Sequence, residues 1–183
     1  MVKLEDRAEN YTLEDFNSLR FVNPAFNIVK NYLHASTECP LYLMGPKGCG
    51  KSFALRKALS ERIMEDKTFI PLVLTYQATG SSEILDPTKL ASREDWGERY
   101  SLYMSRDIQK LMNIANVIVY EDMHYRFEAV ERGEENPSHL CSELKGILKK
   151  GEEGKKNHIR LRKHTSFLYT ASRKERNRQR DNR

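Results

Sequence analysis

The chain has 183 residues, 39% of them hydrophobic and 31% charged, which suits one domain with a single core and argues against two. A mean hydropathy of -0.71 and no apolar run approaching about 18 residues exclude a transmembrane helix, and the polar, acidic start Met1–Asn10 is no signal peptide, so a cytoplasmic protein without a membrane partner is expected. Of the formal net charge of +5, residues 155–183 contribute +9 through 11 Lys or Arg against Glu175 and Asp181, leaving residues 1–154 at -4. Cys39, Cys49 and Cys141 are odd in number and widely spaced, so they build neither a disulfide framework nor a Cys-x-x-Cys metal pair and read as reduced thiols.

In chain order, Pro24 to His34 places Phe26, Ile28, Val29, Tyr32 and Leu33 on one helical face, and Ser36–Pro40 breaks it. Leu41 to Met44 is a short apolar strand, and Ser52 to Met64 resumes helical spacing through Phe53, Leu55, Ala58, Leu59 and Ile63. Phe69 to Tyr76 reads as a buried strand that begins at an edge or just after Pro71. Gln77 to Ala91 is a polar loop. One long amphipathic helix follows through Trp96, Tyr100, Tyr103, Met104, Ile108, Leu111 and Met112, capped at Ser92 with Asp95 three residues on.

Val117 to Tyr120 is a run of β-prone apolar residues ending in Glu121 and Asp122, the pattern of a central parallel strand whose carboxyl end faces a site. Asn136 and Pro137 read as the N-cap and first position of a helix carrying Leu140, Cys141, Leu144, Ile147 and Leu148. Gly151–His158 is a turn or mobile loop, and Thr165–Thr170 is the last strand. Strands alternating with helices imply an α/β fold, a parallel sheet with helices on both faces. No internal repeat is visible.

The sharpest motif lies between the first strand and its helix. Gly45, Pro46, Lys47, Gly48, Cys49, Gly50, Lys51 and Ser52 match GxxxxGK[ST] in full, and with Phe53 they form the expected phosphate-binding set. Glycines at 48 and 50 let successive N–H groups converge on phosphate oxygens at the positive end of the helix. Lys51 would reach the β and γ phosphates, and the Ser52 hydroxyl would hold Mg2+. ATP and Mg2+ are therefore the expected cofactors. Lys47 adds positive potential, and Cys49 reads as a small residue that fits the loop.

A phosphate site of this kind needs carboxylates for the metal and for water. Glu121 and Asp122 supply them at a strand end, but in the order Glu then Asp, the reverse of the usual pair. Glu121 is assigned to the metal side and Asp122 to the water side. An Asp at the second place is one methylene shorter, so nucleotide binding and hydrolysis can come apart here. A polar group able to sense the γ phosphate is expected on the last strand, Ser172 or alternatively Thr170. His124, beside Tyr125 and Phe127, reads as a packing or surface residue. Tyr11, Phe16 and Phe21 line a nucleobase pocket in one reading and are ordinary core in the other.

The segments YTLEDFNSLRFVNPAF, LYLMGPKGCGKSFALRKAL, VIVYEDMHYRF and TSFLYTASR, within Asn10–Arg173, resemble the AAA+ ATPases, nearest the DnaA and DnaC-like replication initiators and helicase loaders. The resemblance implies a three-layer P-loop NTPase domain with a mainly parallel sheet and strand order 5-1-4-3-2. It gives Tyr11–Phe21 to the base, Glu121 with Asp122 to Mg2+ and water, and Ser172 or Thr170 to the sensor. The chain ends before the family's fifth strand, arginine finger and helical lid, so a truncated domain lacking its lid, with strand 1 at an edge and weak turnover, is expected.

The expected organisation is a segment 1–23 near the base, an NTPase core 24–172 and a basic tail 173–183. A GTPase Asn-Lys-x-Asp element and a transporter-type Leu-Ser-Gly-Gly-Gln are both absent. The expected role is in nucleic-acid transactions such as replication initiation or helicase loading. Its partners would be ATP, DNA or RNA through the tail, and another AAA+ protein or helicase. The tail's alternative is a merely solubilising end. A non-hydrolysing, nucleotide-dependent binding module is the alternative function, and a small-molecule kinase a more distant one.

Overall fold

The computed structural model describes residues 13–18, 24–35, 41–46, 48–76, 82–142, 145 and 166–172. Two helices, α1 (Leu13–Ser18) and α2 (Pro24–His34), precede β1 (Leu41–Gly45), and α3 (Lys51–Glu65) follows the glycine-rich turn. Then come β2 (Pro71–Tyr76), β3 (Ser82–Ile84), three short helices α4 (Arg93–Trp96), α5 (Arg99–Met104) and α6 (Ile108–Ile114), β4 (Val117–Glu121), α7 (His124–Glu131) and β5 (Ser166–Ser172). A further helix starts at 137, where the Asn136 side chain accepts from Ser138 N at 2.9 Å.

The five strands form one sheet in the order β1-β5-β4-β2-β3. Three of its pairings are parallel, and only β3 runs antiparallel to β2, so the fold is mixed α/β with a mainly parallel sheet. β1 forms one edge. The core is built from Leu55, Leu59 and Ile63 of α3, Leu72 to Leu74 of β2, and Val117 to Tyr120 of β4, with Val29, Leu90, Trp96, Leu111 and Met123 packed around them. Both β2 and β4 are apolar on both faces because each lies between neighbouring strands and under helices. Pro71 opens β2, and its missing N–H costs nothing to the β3 ladder, which covers only Leu74–Tyr76.

Three expectations change. Ile28 does not share the packed face of α2: it is exposed, while Phe26, Tyr32 and Leu33 pack against the core beside buried Val29. Gln77–Ala91 is not wholly loop, because Ser82–Ile84 adds a strand to β2 and Pro87–Lys89 forms a 3-10 turn capped by Asp86, whereas 77–81 lie outside the described residues. The single helix expected over Ser92–Met112 is three. Gly97, at φ 56°, ends α4 by donating to Arg93 and Glu94 carbonyls, and Arg106, at φ 49°, separates α5 from α6, which restarts on an Asp107 cap. Apolar periodicity survives these breaks because the short helices still turn Trp96, Tyr103 and Leu111 into the core.

Ser92 does cap α4. Its hydroxyl accepts from Asp95 N at 3.1 Å while the Asp95 carboxylate accepts from Ser92 N, a reciprocal capping box. Ser92→Ala is expected to cost about 1 kcal/mol and lower the thermal midpoint by roughly 2–4 °C in a melt followed by circular dichroism. Gly151–His158, Cys39, and Leu144, Ile147 and Leu148, expected on a helix from 137, lie outside the described residues.

Candidate functional site

The turn from β1 into α3 carries the phosphate-loop motif. Gly48 and Gly50 both have φ 81°, a left-handed backbone that disfavours any residue with a Cβ, and this reversal delivers the chain into α3 at Lys51. Gly50 is the N-cap and provides no side-chain cap, and no acidic residue occupies the first turn of α3. The N-cap position therefore lends no side-chain oxygen to the start of α3, and the positive helix end meets no acidic residue of its own first turn, an arrangement suited to an anion.

Lys51 is half-buried, and its ammonium is held against the loop. Nζ donates to the carbonyl oxygens of Gly45 and Pro46, each at 2.9 Å, and to the Cys49 sulfur at 3.6 Å. A phosphate would exchange two neutral acceptors for charged ones, which bind an ammonium more strongly. Ser52, partly buried, follows on the first turn, and Phe53 is buried beneath it in the core. Gly45 thus ends β1, Pro46, Gly48, Cys49 and Gly50 lie in the turn, and Lys51, Ser52 and Phe53 open α3, while Lys47 lies outside the described residues.

The carboxylates occupy different surroundings. Glu121 is the last residue of β4, only 1% exposed, and its Oε2 accepts from Arg56 Nη2 at 2.8 Å. Arg56 stands four residues after Ser52 on α3, so the two are neighbours on one helix face, roughly 5–6 Å apart at Cβ. Glu121 is thereby tied to the helix that opens with Lys51 and Ser52. Its other oxygen, Oε1, is buried without a hydrogen-bond partner among the described residues, and so are Arg56 Nε and Thr75 Oγ1. Thr75 is the register partner of Glu121 in the parallel β2–β4 pair, which puts both on the same sheet face.

Asp122 lies just past the strand, partly exposed, with φ 59°. His124 Nδ1 is 3.8 Å from Asp122 Oδ1, too long for a hydrogen bond, and the His124 ring tilts against Tyr125 with centroids 4.1 Å apart. This matches a packing role for His124. Ser172 ends β5 opposite Gly45, and Thr170 stands opposite Leu43, so the last strand brings both sensor candidates beside the strand that feeds the loop. β5 lies between β1 and β4, hence between loop and carboxylates.

For Mg2+, the oxygen donors fit. Among the described residues no three His, Cys, Asp or Glu side chains gather into a metal site, so an ion would depend on Ser52, the free Oε1 of Glu121, Asp122 and the phosphates of a nucleotide. Magnesium is commonly held in that way, by one or two protein oxygens together with phosphates and water. The proposed base-contacting residues Tyr11 and Phe21, the side chain of Phe16 in α1, and the basic tail from Arg173 lie outside the described residues.

Arg56 and Thr75 were not anticipated. Arg56 had a signal, since it interrupts the apolar run Phe53–Leu59 at a position four residues from Ser52. Thr75 had none, because its place beside Glu121 depends on strand order and register. No family model, no curated protein and no solved structure matches the chain.

Proposed function

We propose that the chain is a P-loop NTPase domain of AAA+ type that binds ATP with Mg2+ and acts in nucleic-acid transactions of the replication-initiation or helicase-loading kind. The observation that carries the reading is the complete GxxxxGKS sequence between β1 and α3, with Lys51 Nζ held at the loop and a glycine, Gly50, as the N-cap of α3. The order of the four parallel strands, first, fourth, third, second, with β1 at the edge, agrees with the resemblance and supports it.

In this reading the loop amides and Lys51 would hold the β and γ phosphates, and Ser52 with Glu121 would supply oxygens to the metal. Bound Mg2+ would neutralise phosphate charge. Asp122 is the carboxylate accessible enough to orient water, and Thr170 or Ser172 stands on the strand between. The basic tail would add contacts to DNA or RNA phosphates, and a second AAA+ protein or helicase would be the client. Binding without hydrolysis is the second reading, favoured by the Glu121–Arg56 ion pair, which takes up the charge of one of the two carboxylates.

Titration of the chain with ATP, with and without Mg2+, followed by a turnover assay with and without DNA, tests the proposal. Glu121→Gln is expected to raise the Mg2+ concentration that half-saturates the nucleotide-bound chain by about tenfold, whereas Asp122→Asn should slow turnover by about 100-fold and spare binding. Asn accepts the left-handed backbone at 122 as readily as Asp, so that variant removes charge without straining the turn. Identical binding and turnover in the two variants would refute the division of roles.

A further inference from the structure

The Arg56–Glu121 pair has a chemistry that nucleotide binding alone does not require. Glu121 is the only buried acid among the described residues, and Arg56, 7% exposed, is bound to it through a single edge, Nη2 to Oε2. One donor of the guanidinium, Nε, and one acceptor of the carboxylate, Oε1, are left without partners, with the Thr75 hydroxyl as a third orphan at the register position beside them. Buried polar atoms normally find partners, so these three, two on neighbouring strands and one on the helix bound to them, mark a polar junction inside the fold.

From this juxtaposition we infer that Arg56 sets the magnesium requirement of the site: its charge neutralises Glu121 and opposes the cation, so that the loop holds nucleotide with little help from Mg2+. The inference rests on the P-loop reading given above. Arg56 is four residues from Ser52 on the same face of α3, so its charge is carried on the helix turn next to the hydroxyl that would hold the metal. The pair together is neutral. A cation approaching Oε1 therefore meets a carboxylate whose charge is already compensated, in surroundings where screening by water is weak. Arg56 acts through Glu121 and is a positioning residue. It holds Oε2 toward α3 and leaves Oε1 as the Glu121 oxygen without a partner among the described residues.

The test is a Mg2+ titration of the intact chain with a fluorescent ATP analogue, starting from a chelated solution, with thermal midpoints recorded alongside. The wild-type chain should bind the analogue in chelator with an affinity within about tenfold of that at saturating Mg2+. Arg56→Gln should lower the half-saturating Mg2+ by about tenfold, and added Mg2+ should raise its thermal midpoint more than that of the wild type, since the cation takes over the lost charge. Arg56→Lys, which keeps the charge, should retain the wild-type Mg2+ midpoint.

Arg56→Gln leaves Glu121 buried and uncompensated and can fail to fold, so the neutral pair gives a second comparison. Glu121→Gln with Arg56→Gln should require about tenfold less Mg2+ than Glu121→Gln alone, because only the opposing charge differs between them. Equal Mg2+ midpoints in that comparison, or a folded Arg56→Gln indistinguishable from the wild type, would overturn the inference and leave the nucleotide site standing. Absence of analogue binding by the wild type at every Mg2+ concentration would instead overturn the P-loop reading itself.

Discussion

Lys51→Ala is expected to weaken ATP binding by at least about 100-fold, equivalent to roughly 2.7 kcal/mol, while the chain stays folded. The ammonium is the only cationic group that the described structure holds inside the loop, fixed on the carbonyls of Gly45 and Pro46. Alanine is the best helix former and sits at the first position of α3, so the helix itself should persist. The two carbonyls released by the substitution lie in a partly to fully exposed turn where water can replace the ammonium, so little stability is lost. A binding titration with a circular dichroism spectrum as control decides the matter. Affinity equal to that of the wild type would remove the phosphate-loop assignment.

The largest effect on stability is expected far from the loop, at Arg99. This side chain, 7% exposed, donates to five backbone carbonyls: Ile63 and Asp66 at the end of α3, Phe69 before β2, and Asp95 and Trp96 at the end of α4. Its guanidinium also lies over the Trp96 ring, 5.3 Å from the centroid. Helix ends leave carbonyls without intrahelical partners, and burial denies them water, so one five-donor fork satisfies several of them at once. Burial pulls the Arg99 guanidinium below its ordinary pKa, with Asp66, Tyr103 and Asp95 opposing that shift.

Arg99→Met keeps much of the apolar stem and removes every donor. The orphaned carbonyls should cost about 3–5 kcal/mol, a fall in thermal midpoint of roughly 6–20 °C for a domain of this size. Arg99→Lys should recover only part of the loss, because an ammonium has three donors on one centre and cannot span carbonyls at two helix ends and before β2. Thermal denaturation of the three proteins checks the order. A midpoint within about 2 °C of the wild type for Arg99→Met would show that the carbonyls find other partners.

Much of the local structure is legible in the sequence by itself. The β1 run, Gly48, Gly50 and the periodicity of α3 act within a few residues of one another, so backbone geometry and local hydrophobic spacing suffice to place the turn. The same holds for the Ser92–Asp95 capping box, for the Asn136 cap, and for β2 and β4, whose apolar runs match buried strands. The breaks at Gly97 and Arg106 were written locally too, but a strong 3.6-residue apolar pattern outweighed a single glycine and an aspartate cap.

Tertiary structure alone decided what surrounds the carboxylates. Arg56 and Glu121 are 65 residues apart, and their ion pair exists because α3 packs across the face of β4 that carries Glu121. Thr75 reaches that face only through the β2–β4 register, and a one-residue slip would turn its side chain to the other side of the sheet. Ser172 stands opposite Gly45 because β5 inserts between β1 and β4, an order that no short stretch of sequence specifies. Arg99 looks like a surface charge when read along α5, and becomes a clamp only when the ends of α3 and α4 converge on it. Periodicity and turn chemistry are properties of neighbouring residues, whereas pairing across the sheet depends on the path of the whole chain, which is why the loop was readable and its partners were not.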